Sequence, residues 1–105
     1  MAYSKENYGD VEPKAPGMHF LRDALDCDSL GITVVEGDSE WTGMEHDHAD
    51  GGQEEVYLLL EGSGTITVDG EALPLDVGDA VRVSPAATRN YEFAEPSRMV
   101  VVGAP

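Results

Sequence analysis

Positive charge is scarce in this 105-residue chain: six Lys and Arg stand against 21 Asp and Glu, a formal net charge of -15. Without a basic patch to release counterions from phosphates, a nucleic-acid backbone is excluded as a partner. Cysteine is limited to Cys27, so no intrachain disulfide can form. Set among the acids of LRDALDCDSLG, that thiol reads as structural rather than nucleophilic. No apolar segment approaches the roughly 20 residues needed to span a bilayer, and no membrane partner is expected. The start, MAYSKENYGDVEPK, lacks the charged-then-apolar order of a secretory signal, so a cytoplasmic location is expected. A sustained helical period is missing too, as is any low-complexity segment, which argues against a helical bundle.

Acids are plentiful and spread along the chain instead of gathering in a tail. Such a density repels itself, and high salt relieves the repulsion because the Debye length falls to about 3 Å at 1 M. The composition therefore suggests adaptation to a salt-rich cytosol, as in a halophilic archaeon. Length and a 41% apolar content suit one small domain with one core. Residues 1–17, with Pro13, Pro16 and Gly17, read as an extended N-terminal arm. Its Tyr3, Tyr8 and Val11 are able to dock on the domain that fills 18–105.

The stretch MHFLRDAL (18–25) fits either a short strand or a helical turn. From residue 30 onward the pattern is one of strands. LGITVVE (30–36) is rich in β-branched residues, a turn follows over GDSE (37–40), and WTGME (41–45) is expected to be extended. EEVYLLLEG (54–62) is apolar on both faces and is expected at the centre of a sheet. GTITVDG (64–70) alternates and ends in Asp69-Gly70, a strong hairpin turn. Pro74 in EALPL (71–75) suggests an edge. After the turn DVGD (76–79), AVRVSP (80–85), RNYEF (89–93) and SRMVVVGAP (97–105) complete an all-β set of short, turn-separated strands.

EHDHADGGQEEVYLLLEGSG (45–64) carries two of the three histidines. Alternate residues of an extended segment share a face, so His46 and His48 point the same way. Glu55, Tyr57 and Leu59 likewise share a face of the next strand. Two imidazoles and one carboxylate from adjacent segments suit a divalent transition metal: Fe, Mn, Ni, Cu or Zn. A solvated acidic loop holding no ion fits the same pattern.

His46-Asp47-His48, followed by Glu55, VYLLLE and Gly62, resembles the first sequence motif of the cupins. GDAVRVSPAATRN (78–90) is similar to their second motif, in a degenerate form. The resemblance covers about residues 30–104. It implies an antiparallel double-stranded β-helix, the jelly-roll cupin barrel, with His46, His48 and Glu55 as metal ligands. Two departures mark the first motif: the loop ADGGQE is longer than the pattern, and the leading glycine would be Gly43. In the second, Ala87 stands for a glycine, and Asn90 falls where the family has a third histidine.

If Asn90 faces inward, as the resemblance implies, strand phase turns Glu92 inward too, with Arg89, Tyr91 and Phe93 outward. On that basis Asn90 is expected to hydrogen-bond a substrate or bound water, and Glu92 to serve as acid or base. Arg82 would anchor an anionic substrate if inward, or pair with a surface acid if not. Tyr57 would donate to a ligand or be core. Trp41 would be packing or a pocket wall; Met18, Met44 and Met99 read as gap-fillers, and His19 as a non-ligand. The implied activity is that of a small-molecule metalloenzyme, dioxygenase- or isomerase-like. A non-catalytic small-ligand sensor or a barrel with a vestigial site remain as alternatives. The apolar Val56, Leu58 and Leu60, with VVVGAP at the C-terminus, suggest a homodimer.

Overall fold

The computed structural model describes residues 2–39, 41–43 and 45–105. Met44, and with it part of the extended segment expected over 41–45, lies outside the described residues, as does Glu40 of the turn over 37–40. Among the described residues, eight strands form two antiparallel sheets that face each other across one core. The strands are β1 (Met18–Phe20), β2 (Gly31–Gly37), β3 (Glu54–Glu61), β4 (Gly64–Val68), β5 (Glu71–Leu75), β6 (Ala80–Val83), β7 (Arg89–Phe93) and β8 (Ser97–Ala104). One sheet has the order β1-β2-β8-β3-β6 and the other β5-β4-β7. This is a jelly-roll barrel, and the all-β expectation holds.

Local chemistry explains the elements. The β4–β5 hairpin turns on Asp69 (φ 48°) and Gly70 (φ 83°), the paired left-handed conformations that Asp-Gly tolerates best. Pro74 falls on β5, an edge strand, where the missing N–H breaks no ladder. β3 lies between β8 and β6 as expected, but only one of its faces is buried. Tyr57 and Leu59 are in the core, whereas Val56 and Leu60 are about 40% exposed. The core itself is Val35, Leu59 and Met99 in one cross-strand row and Tyr57 and Val101 in the next, facing Ile66, Leu75, Tyr91 and Phe93.

The N-terminal arm docks on the barrel. Tyr8 begins a turn of 3-10 helix (Tyr8–Asp10) and meets His19 edge-on at 5.4 Å between centroids, while His19 Nδ1 sits 2.8 Å from the Val11 carbonyl oxygen. Further on, the Trp41 indole N–H donates to the Pro16 carbonyl (2.7 Å) and Glu36 N–H donates to the Gly17 carbonyl (2.8 Å). Gly17 is at φ 73°, and a Cβ there would run into the Glu36 carbonyl, so only glycine lets the arm approach this closely.

Candidate metal centre

Three segments build the centre. The first runs beside β7: Thr42 bridges to Glu92 and His46 to Arg89, so these two residues add to the smaller sheet on its β7 edge. The two bridges differ in register by one residue, which turns His46 inward. His46 and Arg89 exchange both backbone hydrogen bonds (2.9 and 2.7 Å). His48 is fixed next, its N–H donating to the Pro85 carbonyl at 2.7 Å. An Asp47-initiated turn carries the longer loop: Ala49 N–H donates to Asp47 Oδ1, and Gly52 N–H to the His48 carbonyl. β3 supplies the third side chain, Glu55, opposite Gly103 of β8. A Cβ at residue 103 would lie 3.1 Å from Glu55 Cγ, so glycine there leaves room for the carboxylate.

One donor atom from each of His46, His48 and Glu55 lies within 4.8 Å of the others. His48 Nε2 is 3.1 Å from Glu55 Oε1, and His46 Nε2 is 3.8 Å from the same oxygen. Despite that proximity, His48 Nε2 is buried and has no hydrogen-bond partner among the described residues. Imidazole and carboxylate are therefore set side by side, aimed at a shared point more than at each other. That disposition fits a divalent ion held by nitrogen and oxygen donors. The two imidazole rings are nearly perpendicular, with centroids 5.1 Å apart.

Tyr57 donates its hydroxyl to Glu55 Oε1 at 2.7 Å. Burial pushes the Glu55 carboxyl up, but the neighbouring His46 imidazole, the Tyr57 hydrogen bond, and the charges of His48 and Arg89 outweigh it and hold the group at about 2. Burial and the neighbouring Glu55 charge drive the Tyr57 hydroxyl far above its ordinary value. Tyr57 is 1% exposed and already committed to Glu55, so it orients the carboxylate rather than meeting a ligand.

Strand β7 corrects the expected phase. Arg89, Tyr91 and Phe93 face the core, and Asn90 and Glu92 lie on the opposite face, cross-strand from Thr67 and Thr65. Glu92 is exposed on that opposite face and is not among the grouped donors. Asn90 Oδ1 is buried without a hydrogen bond among the described residues, near Gly43 and turned away from the histidines. Two aromatics at alternate positions, Tyr91 and Phe93, decide the phase, because burying both rings outweighs burying an amide and a carboxylate. Arg82 is likewise outside: it pairs with Glu54 at 2.7 Å on the exposed face of the larger sheet, opposite Val56. It anchors no ligand in the barrel.

The residue that does stand beside the centre is Arg89, which the reading of the sequence had turned outward. It is 0% exposed. Its Nη2 donates to the Ser84 carbonyl at 3.0 Å, next to Val83, the cross-strand partner of Glu55. Nε and Nη1 are buried with no hydrogen-bond partner among the described residues. A fixed positive charge thus lies near enough to the group to help lower the Glu55 carboxyl. Tyr91 and Phe93 spaced two and four residues on carried the signal for it.

Two cavities adjoin the group. One, about 620 Å³, is bordered by Met18, Trp41, Tyr91 and His46; the other, about 220 Å³, by His48, Gln53 and Glu55. Trp41 stacks on Phe93 (5.0 Å) and tilts against Tyr91 (5.1 Å), so it is both packing and wall. His19 is not among the grouped donors.

A jelly-roll of two antiparallel sheets with a His-x-His segment and a strand-borne glutamate converging between them defines the class. Residues 31–103 match the model of the cupin domain, and the chain belongs to that family. No functionally curated protein matches it. Among solved structures, it is similar to a cupin protein from Bacteroides fragilis (24% identity, 99% of this chain and 85% of that one, TM-score 0.85). An RmlC-like cupin from Shewanella frigidimarina is similar at 20% identity (100% and 95%, TM-score 0.78). So is a structure described as a sugar phosphate isomerase of the cupin superfamily from Silicibacter pomeroyi, at 19% (97% and 76%, TM-score 0.77). At these identities the likeness establishes the fold.

Proposed function

We propose that this cupin is a small-molecule metalloenzyme whose His46, His48 and Glu55 hold one divalent transition ion. The observation that carries the reading is the buried His48 Nε2, which has no hydrogen-bond partner among the described residues although a carboxylate oxygen is 3.1 Å away. A buried polar atom left so is costly, and a shared ion relieves it. Bound there, the ion would supply Lewis-acid or oxygen-activating chemistry.

The protein's own residues prepare that chemistry. Tyr57 fixes the rotamer of Glu55, and the low proton affinity of Glu55 keeps it an anionic donor at neutral pH. Arg89 opposes a second positive charge nearby, which lowers affinity for the ion and favours ligands that bring negative charge to it. The His46 side chain is 38% exposed and forms the open side, where a ligand can enter. The exposed Val56 and Leu60 support association as a homodimer through the larger sheet. Among the described residues no helix is long and apolar enough to cross a membrane.

Titration of chelator-treated protein with Mn2+ and Zn2+ by calorimetry tests the metal site. One ion per chain, lost in His48→Ala, is the expected result; no binding, or binding indifferent to His48, would overturn it. Turnover of candidate substrates by the loaded protein then separates an enzyme from a binder.

A further inference from the structure

We infer that the buried Arg89 guanidinium is an anion site, and that it takes a carboxylate together with the divalent ion so that each tightens the binding of the other. This rests on the metal reading and names the co-ligand of that centre.

The cations of this chain are few, and most lie at the surface beside an acid. Arg82 pairs with Glu54, Arg98 with Glu61 and Lys14 with Asp23. Arg89 is the one that is fully buried, at 0% exposure, and among the described residues it forms no ion pair, although the chain holds 21 acids. Its Nη2 donates to the Ser84 carbonyl at 3.0 Å, which holds the guanidinium in place. Nε and Nη1 are left buried without a partner among the described residues. Glu55 does not supply one: its Oε1 already receives the Tyr57 hydroxyl at 2.7 Å and faces both imidazoles. The Arg89 charge nonetheless acts on Glu55 and Tyr57, so guanidinium and donor group share one sheltered region. A buried charge with idle donors is costly unless an acceptor of opposite charge joins it.

The ion creates the same demand. Among the grouped donors only Glu55 is an anion, and imidazoles bind a metal in their neutral form. With Arg89 alongside, a divalent ion leaves the buried group with excess positive charge. A carboxylate beside Arg89 reduces that excess and gives the idle N–H groups a charge-assisted partner. The coupling is reciprocal: the ion raises affinity for the carboxylate by the factor by which the carboxylate raises affinity for the ion. A monoanion is also repelled less than a dianion on approaching a chain of net charge -15. Entry is from the side of His46, which is 38% exposed and joined to Arg89 through both backbone hydrogen bonds.

The probes are formate and butyrate. Mn2+ is titrated by calorimetry into metal-free protein at fixed ionic strength, with sodium perchlorate replaced by up to about 100 mM of either carboxylate. In wild type, formate should raise Mn2+ affinity about tenfold; in Arg89→Met, affinity should stay within about twofold of that variant's own value in perchlorate. Arg89→Gln removes the same charge should the methionine variant not fold. A gain in formate alone marks a free small anion, and a gain in butyrate as well marks the head of a larger ligand; either upholds the site. Mn2+ binding that is equal in formate and perchlorate overturns the inference and leaves the metal reading intact. The same gain in wild type and Arg89→Met also overturns it, because formate then acts on the ion alone. Broadening of the formate proton resonance by metal-free protein is the second readout. If no Mn2+ binds in any buffer, yet wild type broadens that resonance and Arg89→Met does not, the anion site stands and the metal reading falls. Neither broadening nor Mn2+ binding would sink both.

Discussion

Replacing Arg89 with methionine removes a buried positive charge while keeping an unbranched stem in the core. His46 and Arg89 exchange both backbone hydrogen bonds, so their side chains run side by side on the inner face. Hydrogen-bonded partners have Cα atoms about 5.5 Å apart, which puts guanidinium and a bound divalent ion on the order of 7 Å from each other. At an effective dielectric of about 20, charges of +1 and +2 at that distance repel by about 5 kcal/mol. Water reaching the half-exposed His46 side reduces this, and about 1.5–3 kcal/mol is the working figure, or roughly 10- to 100-fold in affinity. Glu55 loses one of the influences that lower it, but desolvation alone must lift it from about 2 past neutrality to matter at pH 7. Calorimetric titration of Arg89→Met with Mn2+ and Zn2+ should therefore show tighter binding, and Arg89→Lys should stay close to wild type. A folded Arg89→Met protein with unchanged or weaker ion affinity would refute the electrostatic argument.

Glu55→Gln should abolish ion binding and also change the acid stability of metal-free protein. The ordinary value of 4.5 falls to about 2 on folding, so the ionised group stabilises the fold by up to about 3 kcal/mol above pH 4.5 and loses that contribution as pH falls through 2. Urea unfolding at pH 6 and pH 2.5 should show the wild-type advantage over Glu55→Gln shrinking with acid. With 21 acids against six Lys and Arg, melting temperature should rise steeply between 0.1 and 2 M KCl, and a flat response would contradict the reading of the charge. Val56→Glu combined with Leu60→Lys on the exposed face of β3 should shift a dimer to monomer in sedimentation, with the melting curve of the barrel preserved.

Strands were legible wherever a turn was chemically forced. Asp69-Gly70 set the β4–β5 hairpin, Pro74 marked its outer strand as an edge, and the alternation in β3 put Glu55, Tyr57 and Leu59 on one face. The grouping of His46, His48 and Glu55 was legible as well: alternation put the two histidines on one face, and the resemblance of the Glu55-to-Gly62 spacing to the cupin motif singled out the carboxylate. β7 was not. Alignment of RNYEF on a degenerate motif put Asn90 inward, yet the burial of Tyr91 and Phe93 sets the opposite phase and brings Arg89 to the centre. A shift of one residue reverses every side chain of a strand. Arg82 was left open between an inward anchor and a surface ion pair, because a four-residue strand, Ala80–Val83, carries too short a pattern to reveal which face meets solvent.

The central claim is that one ion sits between His46, His48 and Glu55, and crystals soaked with Mn2+ or Zn2+ test it by anomalous scattering. The account predicts a single strong peak per chain at about 2.0–2.2 Å from an imidazole nitrogen of each histidine and from a Glu55 oxygen. No peak at that position, or a peak bound only by surface carboxylates, would contradict it.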